Sequence, residues 1–179
     1  NALLDEIADT GDRVLILEDT VELQCRSDDH VGMRAEPGVT TMADLVRATL
    51  RLRPDRIVVG EVRGAEALDL LKAWGTGHPG GIATVHAGSA AGALTRLEQL
   101  VQEVSLAVPR ALIAEAVNVI VFIAGRGHAR RVREIVRVIG HDRDGYQLDG
   151  SLGPPFPPLQ QVVVSPSPSS TSSTTGESS

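Results

Sequence analysis

Short runs of consecutive apolar residues alternate along the chain with segments whose apolar residues recur at helical spacing. The runs are rich in branched residues, as strands buried on both faces are, and read RVLILE, RIVVGE and IATVH. Amphipathic helices are predicted between them by GAEALDLLKAWG and by MADLVRATLRL, whose start carries Thr41 and Asp44 at the spacing of a capping box. This alternation predicts an α/β fold in which a mostly parallel sheet is flanked and covered on both faces by helices.

Further elements are predicted at both ends of this pattern. The chain opens on NALLDEIADTG, the end of an amphipathic helix, and HVGMRA is a candidate for a short edge strand. Two more helices are predicted at Ala90 to Glu103 and Arg110 to Val117. The runs VIVFIA and RVREIVRV then predict a C-terminal β-hairpin, with DGYQL as an added strand.

The composition changes near Asp149 to proline, serine, threonine and glycine, with almost no charge and a small apolar island at 159–164. Such a segment buries too little apolar surface to offset the entropy of ordering it. We therefore predict one domain at 1–148 and a disordered tail at 149–179. A partner-binding polyproline segment at PPFPPL is the alternative.

Composition narrows the class of protein. The apolar share of 42% is ordinary for a soluble domain, and no apolar run approaches the roughly 20 residues that span a bilayer. Cys25 has no partner for a disulfide and no signal-peptide pattern opens the chain, which favours a reducing cytoplasm. The net charge of −6 argues against broad, nonspecific nucleic-acid binding.

Reactive side chains follow three successive strands: Glu18 and Asp19, then Glu61, then His86. Ligands of open α/β sheets bind beyond the carboxyl ends of the strands. Together with nearby arginines, these groups suit a metal-bound, multiply charged anion such as a nucleoside triphosphate. Any one of them alone is also explained by helix capping, by contact with water or, for His86, by a structural role. Their occurrence at three strand ends in succession favours a shared site.

Three motifs carry a resemblance to a known family. LILEDTVELQ resembles its Asp box, RLRPDRIVVGEVRGAEALDLLKAW its Walker B region and GTGHPGGIATVHAGSA its His box. From Asn1 to about Leu148 the chain is similar to the type II and type IV secretion traffic ATPases, most closely those of conjugative transfer. The resemblance implies a RecA-like P-loop NTPase core and a homo-hexameric ring. It also implies a peripheral position at the cytoplasmic face of the bacterial inner membrane, channel proteins as partners and an indirect link to DNA transfer.

The resemblance assigns roles to the candidate site residues. It makes Glu61 the catalytic carboxylate that orients or deprotonates the attacking water. Glu18 and Asp19 then surround Mg²⁺, through water, and His86 senses the terminal phosphate of ATP.

The same resemblance gives the arginines a charge-neutralising role. Arg63 is the first candidate, with Arg51 and Arg53 as further ones, including across a subunit boundary. Arginine fingers accelerate phosphoryl transfer by about a thousandfold or more.

The phosphate-binding run G-x-x-x-x-G-K-[ST] occurs nowhere in the chain. The only lysine, Lys72, lies in LLKAW without the flanking glycines and hydroxyl, which is typical of a helix-surface lysine. In the family this loop precedes the helix that opens the chain, so we expect it to be encoded just upstream of Asn1. The alternative is a nonenzymatic ring or scaffold component that has kept the fold.

A third interpretation concerns arginines around the predicted hairpin, which allow contact with transferred DNA: Arg126, Arg130, Arg131 and Arg133. Alternation offers a plainer account, that of a half-solvated strand. It places Val132, Val136 and Val138 on one face and Arg131, Arg133 and Arg137 on the other, although Glu134 and Ile135 break the pattern.

Overall fold

The computed structural model describes residues 1–78, 80–150 and 161–166. The helices are α1 (Ala2–Glu6), α2 (Met42–Thr49), α3 (Glu66–Gly75), α4 (Ala90–Gln102) and α5 (Arg110–Ala116), with single 3₁₀ turns at Ala8–Thr10 and Gly127–Ala129. The strands are β1 (Val14–Glu18), β2 (His30–Arg34), β3 (Arg56–Val59), β4 (Gly81–Thr84), β5 (Val119–Ala124), β6 (Arg131–His141), β7 (Tyr146–Asp149) and β8 (Gln161–Pro166). None of the described helices is long and apolar enough to cross a membrane.

The eight strands form one sheet in the order β2-β1-β3-β4-β8-β5-β6-β7. The first six strands of that order are parallel, and β5, β6 and β7 pair in antiparallel fashion. The predicted mostly parallel α/β sheet, its edge strand β2 and its C-terminal hairpin are therefore confirmed. Because β1, β3 and β4 are parallel neighbours, their carboxyl ends meet at one edge of the sheet.

Local sequence signals explain where the elements begin. The Thr41 hydroxyl accepts the Asp44 N–H at 3.1 Å while the Asp44 carboxylate accepts the Thr41 N–H at 3.1 Å, which confirms the predicted capping box of α2. Ser89 caps α4 by accepting the Gly92 N–H at 3.0 Å. All five residues of β1 are buried, as its continuous apolar run predicts.

Helices cover the two faces of the sheet unequally. The main core lies on the face packed by α2, α3, α4 and α5. Each of these helices contributes buried residues to it, for example Val46, Leu71, Leu94 and Ile113. The other face carries a small cluster of buried residues: Leu4, Val14, Ile16 and Val58. Among the described helices only α1 contributes to that cluster. The alternation predicted helices on both faces of the sheet, but the described helices cover one face well and the other only at α1.

The predicted face assignment of β6 is wrong at its first residues. Phe122 pairs with Glu134 and Ile123 with Val132, which leaves Arg133 as the extra residue of a β-bulge. A bulge shifts the alternation of side chains by one residue. Val132 therefore lies on the same face of the sheet as its partner Ile123, away from the main core, and is 53% exposed. Glu134 follows the bulge and pairs with Phe122 on the face of Val136, and its Oε2 accepts the Ala90 N–H at 3.3 Å at the start of α4, which accounts for a charged residue at this position.

The structure also differs from the predicted tail. Asp149 ends β7, and six residues for which disorder was predicted form β8 between β4 and β5. The physical reason is that the strand pairs along both of its edges, which hydrogen-bonds the backbone of a short apolar run. The PPFPPL segment and residues 167–179 lie outside the described residues.

An ion pair between the half-exposed Arg110 and the largely buried Glu98 joins α4 to α5. Arg110 donates from Nε and Nη2 to the two Glu98 carboxylate oxygens at 2.7 and 3.2 Å, and the Glu98 side chain is 14% exposed. The hydrogen bond from Arg110 lowers the pKa of Glu98, outweighing the opposing effect of burial. Burial, reinforced by the neighbouring Glu98 carboxylate, raises the pKa of Tyr146.

We predict that Gly81→Ala destabilises the protein by about 1–3 kcal/mol, because a Cβ there would lie 2.0 Å from Nε1 of the buried Trp74 indole. Gly32→Ala is the matched control, since it lies in a strand with nothing within 4 Å of the new Cβ. Urea unfolding measures both changes. Equal midpoints for the two variants would contradict this packing account.

The Glu98 ion pair predicts an acid-sensitive share of stability. Because the folded pKa of Glu98 is lowered, its contribution is present above the ordinary value of 4.5 and is lost as the pH falls through the folded value. The unfolding free energy of the wild type should therefore fall more steeply below about pH 4.5 than that of Glu98→Gln. Urea titrations from pH 3 to pH 7, with the exposed Glu115→Gln as control, test this; parallel curves for wild type and Glu98→Gln would refute it.

Candidate functional site

Four side chains predicted to share a site form one ion-pair network at the carboxyl ends of β1, β3 and β4. Glu61 lies at its centre. Its Oε2 accepts from Arg63 Nη2 at 2.6 Å, and its Oε1 lies 3.1 Å from His86 Nε2. Arg63 also donates from Nη1 to Asp19 Oδ2 at 2.7 Å. Of the four strand-end residues predicted to share a site, the structure thus brings Asp19, Glu61 and His86 together at one edge.

The backbone around Glu61 is held by the neighbouring strands on both sides. The Gly60 N–H donates to the Leu17 carbonyl at 2.8 Å, and the Val62 N–H donates to the Thr84 carbonyl at 2.9 Å. The Thr84 hydroxyl donates back to the Gly60 carbonyl. Glu61 therefore projects from a fixed backbone, and its side chain is only 19% exposed.

Arg63 is anchored through its backbone, and its exposed guanidinium is held by Asp19 and Glu61. Its N–H and that of Gly64 both donate to Glu66 Oε1, at 2.6 and 2.9 Å, and Glu66 is buried at the start of α3. The Arg63 side chain is 61% exposed. Its hydrogen bond to Glu61, with the nearby Asp19 charge, raises the pKa of Arg63, so the guanidinium stays charged.

Glu18 does not join the ion-pair network. Its side chain is buried, with 7% of the residue exposed, and Oε1 accepts the N–H groups of Glu22 and Leu23 at 2.9 and 2.8 Å. The carboxylate thus fixes the turn after β1, from which Asp19 reaches Arg63. Within the described part of the chain, no group of three or more histidine, cysteine or acidic side chains could hold a metal ion. Contact of Glu18 and Asp19 with Mg²⁺ through water stays a prediction.

Arg51 and Arg53 lie at the opposite edge of the sheet. They follow α2 and precede β3, and the next residues, Asp55 and Arg56, donate their N–H groups to the carbonyl of Arg13 at 3.0 and 3.1 Å. Arg13 directly precedes β1, so this is the amino-terminal edge of the strands. Within one chain the structure does not bring these two arginines to Glu61, and their action across a subunit boundary stays a prediction.

Two residues beside the network were missed by the sequence analysis. Arg34, at the end of β2, donates from Nε to the Asp19 carbonyl at 3.1 Å and lines a cavity of about 700 Å³. The sequence feature that could have identified Arg34 is its position at the end of a strand that pairs in parallel with β1. Glu66 accepts the Arg63 N–H. The sequence feature that could have identified Glu66 is its position three residues after Arg63, at the start of a predicted helix.

A family model described as "Type II/IV secretion system protein" matches residues 1–128. The chain belongs to this family. A conjugal transfer protein TrbB of Rhizobium radiobacter is 49% identical over 151 residues, covering 83% of this chain and 46% of the relative. The type IV secretion system protein PtlH of Bordetella pertussis is 36% identical over 151 residues, covering 75% of this chain and 44% of the relative. This secretion-family chain thus spans about half the length of the relatives it matches.

Solved structures support the same family. The VirB11 ATPase from the Brucella suis type IV secretion system aligns with a TM-score of 0.63 and 30% identity, over 70% of this chain and 40% of VirB11. The pilus retraction motor PilT, solved with bound ADP, aligns with a TM-score of 0.58 and 25% identity, over 79% of this chain and 43% of PilT. The RecA-like fold predicted for this secretion-family chain is confirmed.

The buried turn acceptor predicts a stability role for Glu18. We expect Glu18→Ala to destabilise the fold by about 2–4 kcal/mol, because it leaves two backbone N–H groups without their acceptor. Glu18→Gln keeps an acceptor oxygen and should cost clearly less. Chemical unfolding compares the two variants. A Glu18→Ala protein as stable as Glu18→Gln would show that the turn does not need this acceptor.

Proposed function

We propose that this chain is the hydrolytic part of an ATP-driven motor subunit in a conjugative-transfer or related type IV or type II secretion system. The observation that carries the proposal is the Glu61 carboxylate, bonded to both Arg63 and His86 at the carboxyl ends of the sheet. Open α/β sheets bind their ligands at this position. Family membership and the likeness to ATPases support ATP as the substrate.

In this proposal Glu61 orients the attacking water or takes its proton. Phosphoryl transfer depends mainly on positioning and on stabilisation of charge, so a carboxylate on a fixed backbone suits the role. The hydrogen bonds of Gly60 and Val62 to the neighbouring strands supply that fixed position. In the same proposal His86, whose side chain is 53% exposed beside Glu61, contacts the terminal phosphate.

Arg63 supplies positive charge to the same site. Its guanidinium bridges Asp19 and Glu61 here, and its exposed side chain can turn towards an incoming phosphate. Phosphate oxygens suit the guanidinium because it donates two parallel hydrogen bonds. Such a move would free a carboxylate oxygen of Glu61 to accept a hydrogen bond from the attacking water. Glu61 would then act as a base only after the substrate has bound.

Magnesium, when bound with the nucleotide, would neutralise charge on the phosphate oxygens. Magnesium sites commonly use one or two carboxylates, several waters and the phosphates themselves. Asp19 fits such a site, because its carboxylate is 46% exposed at the same edge. We propose that Asp19 holds the ion through water. Glu18 contributes chiefly by fixing the turn that presents Asp19.

We further propose a homo-hexameric ring at the cytoplasmic face of the bacterial inner membrane, in contact with channel proteins and linked only indirectly to DNA transfer. Similarity to conjugal-transfer and type IV secretion proteins supports this setting. In a ring, Arg51 and Arg53 could reach the site of a neighbouring subunit from the edge opposite Glu61.

The second candidate function is a nonenzymatic ring component. The observation that favours it is the lack of a G-x-x-x-x-G-K-[ST] run in the chain, whose only lysine, Lys72, lies exposed on α3.

For the motor function, we propose that the chain by itself binds ATP weakly and does not turn it over, and that activity needs a phosphate-binding loop supplied by further sequence. Turnover by the chain alone at the rate of a complete relative would contradict this.

A chimera tests the motor proposal. Joined behind the part of the Rhizobium radiobacter relative that precedes its matched region, this chain should hydrolyse ATP. Glu61→Gln should then lower phosphate release by about 100-fold or more with little loss of ATP binding, because it removes the group that handles the water. The exposed Glu115→Gln serves as the charge-matched control. A chimera that assembles and binds ATP without any turnover would favour the scaffold.

A further inference from the structure

The loop that carries His86 joins β4 to α4 and is held chiefly at its two ends. At its start, the Thr84 carbonyl accepts a backbone N–H from the segment after β3 at 2.9 Å, and the side chain of Val85 is buried. In its middle, the position that a Cβ of Gly88 would take has nothing within 4 Å, so packing does not fix the loop there. The orientation of the half-exposed His86 ring therefore depends on how firmly both ends are held.

Two acceptors hold the end of this loop at the start of α4. The Ser89 hydroxyl accepts the Gly92 N–H at 3.0 Å, and Glu134 Oε2 accepts the Ala90 N–H at 3.3 Å. Ser89 belongs to the loop itself, so its bond moves whenever the loop moves. Glu134 lies 44 residues further along the chain, on β6. Its bond therefore ties the loop to a strand of the C-terminal hairpin.

The β-bulge at Arg133 is what brings Glu134 to this helix. Without the extra residue, Glu134 would pair with Val121, on the face of the sheet away from the main core. With it, Glu134 pairs with the buried Phe122, on the face that α4 covers. Bulges commonly re-aim a side chain in this way.

A carboxylate facing this side of the sheet needs a partner, because burying a charge without one is costly. The start of α4 supplies both a free N–H donor and the positive end of the dipole of a 13-residue helix. The bulge and the acidic residue thus act together, and their joint effect is to hold the backbone four residues after His86.

We propose that Glu134 is a positioning residue for the His86 loop. By holding the Ala90 N–H it keeps the His86 ring beside Glu61, where His86 Nε2 lies 3.1 Å from Glu61 Oε1. Glu134 touches neither the nucleotide nor the water and acts only through His86. The effect on catalysis rests on the proposed function, in which His86 contacts the terminal phosphate, whereas the effect on the loop is a property of this chain alone.

The full chain carrying Glu134→Ala tests this role by NMR of the His86 ring nitrogens. Their ¹⁵N signals should shift, because the ring leaves its place beside Glu61. The Ala90 amide should exchange its hydrogen about tenfold faster or more, because its acceptor is gone. Glu134→Gln keeps an acceptor oxygen and should retain both wild-type properties. Glu115→Ala removes the same charge from an exposed site on α5 and, as the matched control, should change neither.

Unchanged His86 signals in Glu134→Ala would overturn the proposal, because Glu134 would then cap α4 without positioning the loop. If circular dichroism shows that Glu134→Ala does not fold, Glu134→Asp takes its place. The aspartate keeps the charge but is one methylene shorter, so it should not reach the Ala90 N–H, and the His86 signals should shift in the same way. Wild-type His86 signals in Glu134→Asp would equally overturn the proposal.

The chimera with the Rhizobium radiobacter relative separates this role from the proposed function. There Glu134→Ala should lower turnover at saturating ATP by about tenfold with little change in ATP affinity, because the phosphate contact is misplaced. It should have no further effect when His86→Ala is already present, since Glu134 acts through His86. Additive losses would overturn the positioning role. A chimera without turnover would contradict the proposed function instead, and the His86 signals of the full chain would still decide the role of Glu134.

Discussion

The main chain on either side of Glu61 is hydrogen-bonded to strands on both sides, to Leu17 of β1 through Gly60 and to Thr84 of β4 through Val62. These bonds exist because the three strands run in the same direction and end together. Every other property of the site follows from this shared edge, since it alone brings groups from distant parts of the sequence within ion-pairing distance. An antiparallel β3 would carry Glu61 to the far side of the sheet.

The negative charges at the carboxyl ends of the strands are only partly neutralised by the cationic side chain beside them. Two carboxylates, Asp19 and Glu61, share one guanidinium from Arg63, and His86 offers a further nitrogen. Partly compensated, partly exposed groups of this kind can exchange partners when a charged ligand arrives, whereas a fully buried pair would resist it. The buried Glu18 shows the contrast, because its carboxylate is engaged by two backbone N–H groups and serves the turn.

The sheet itself is assembled from two halves that the sequence keeps far apart. Helices α3, α4 and α5 span both halves from one face, while the opposite face has only the small cluster around α1. The pairing of β8 closes the sheet between β4 and β5. The unequal helical cover means that stability depends heavily on a single helical layer and on uninterrupted strand pairing.

The sequence by itself determined the local elements and the chemistry at their ends. Buried runs predicted β1, β3 and β4, a capping box predicted the start of α2, and the groups after the strands predicted a shared site, because these signals act over a few residues. Tertiary structure decided which predicted groups meet. It turned Glu18 into a backbone acceptor, placed Arg51 and Arg53 at the far edge and put the bulge at Arg133. It also drew an apolar island from the supposed tail into the sheet, because pairing across long sequence separations depends on vacant partners that no local pattern reveals.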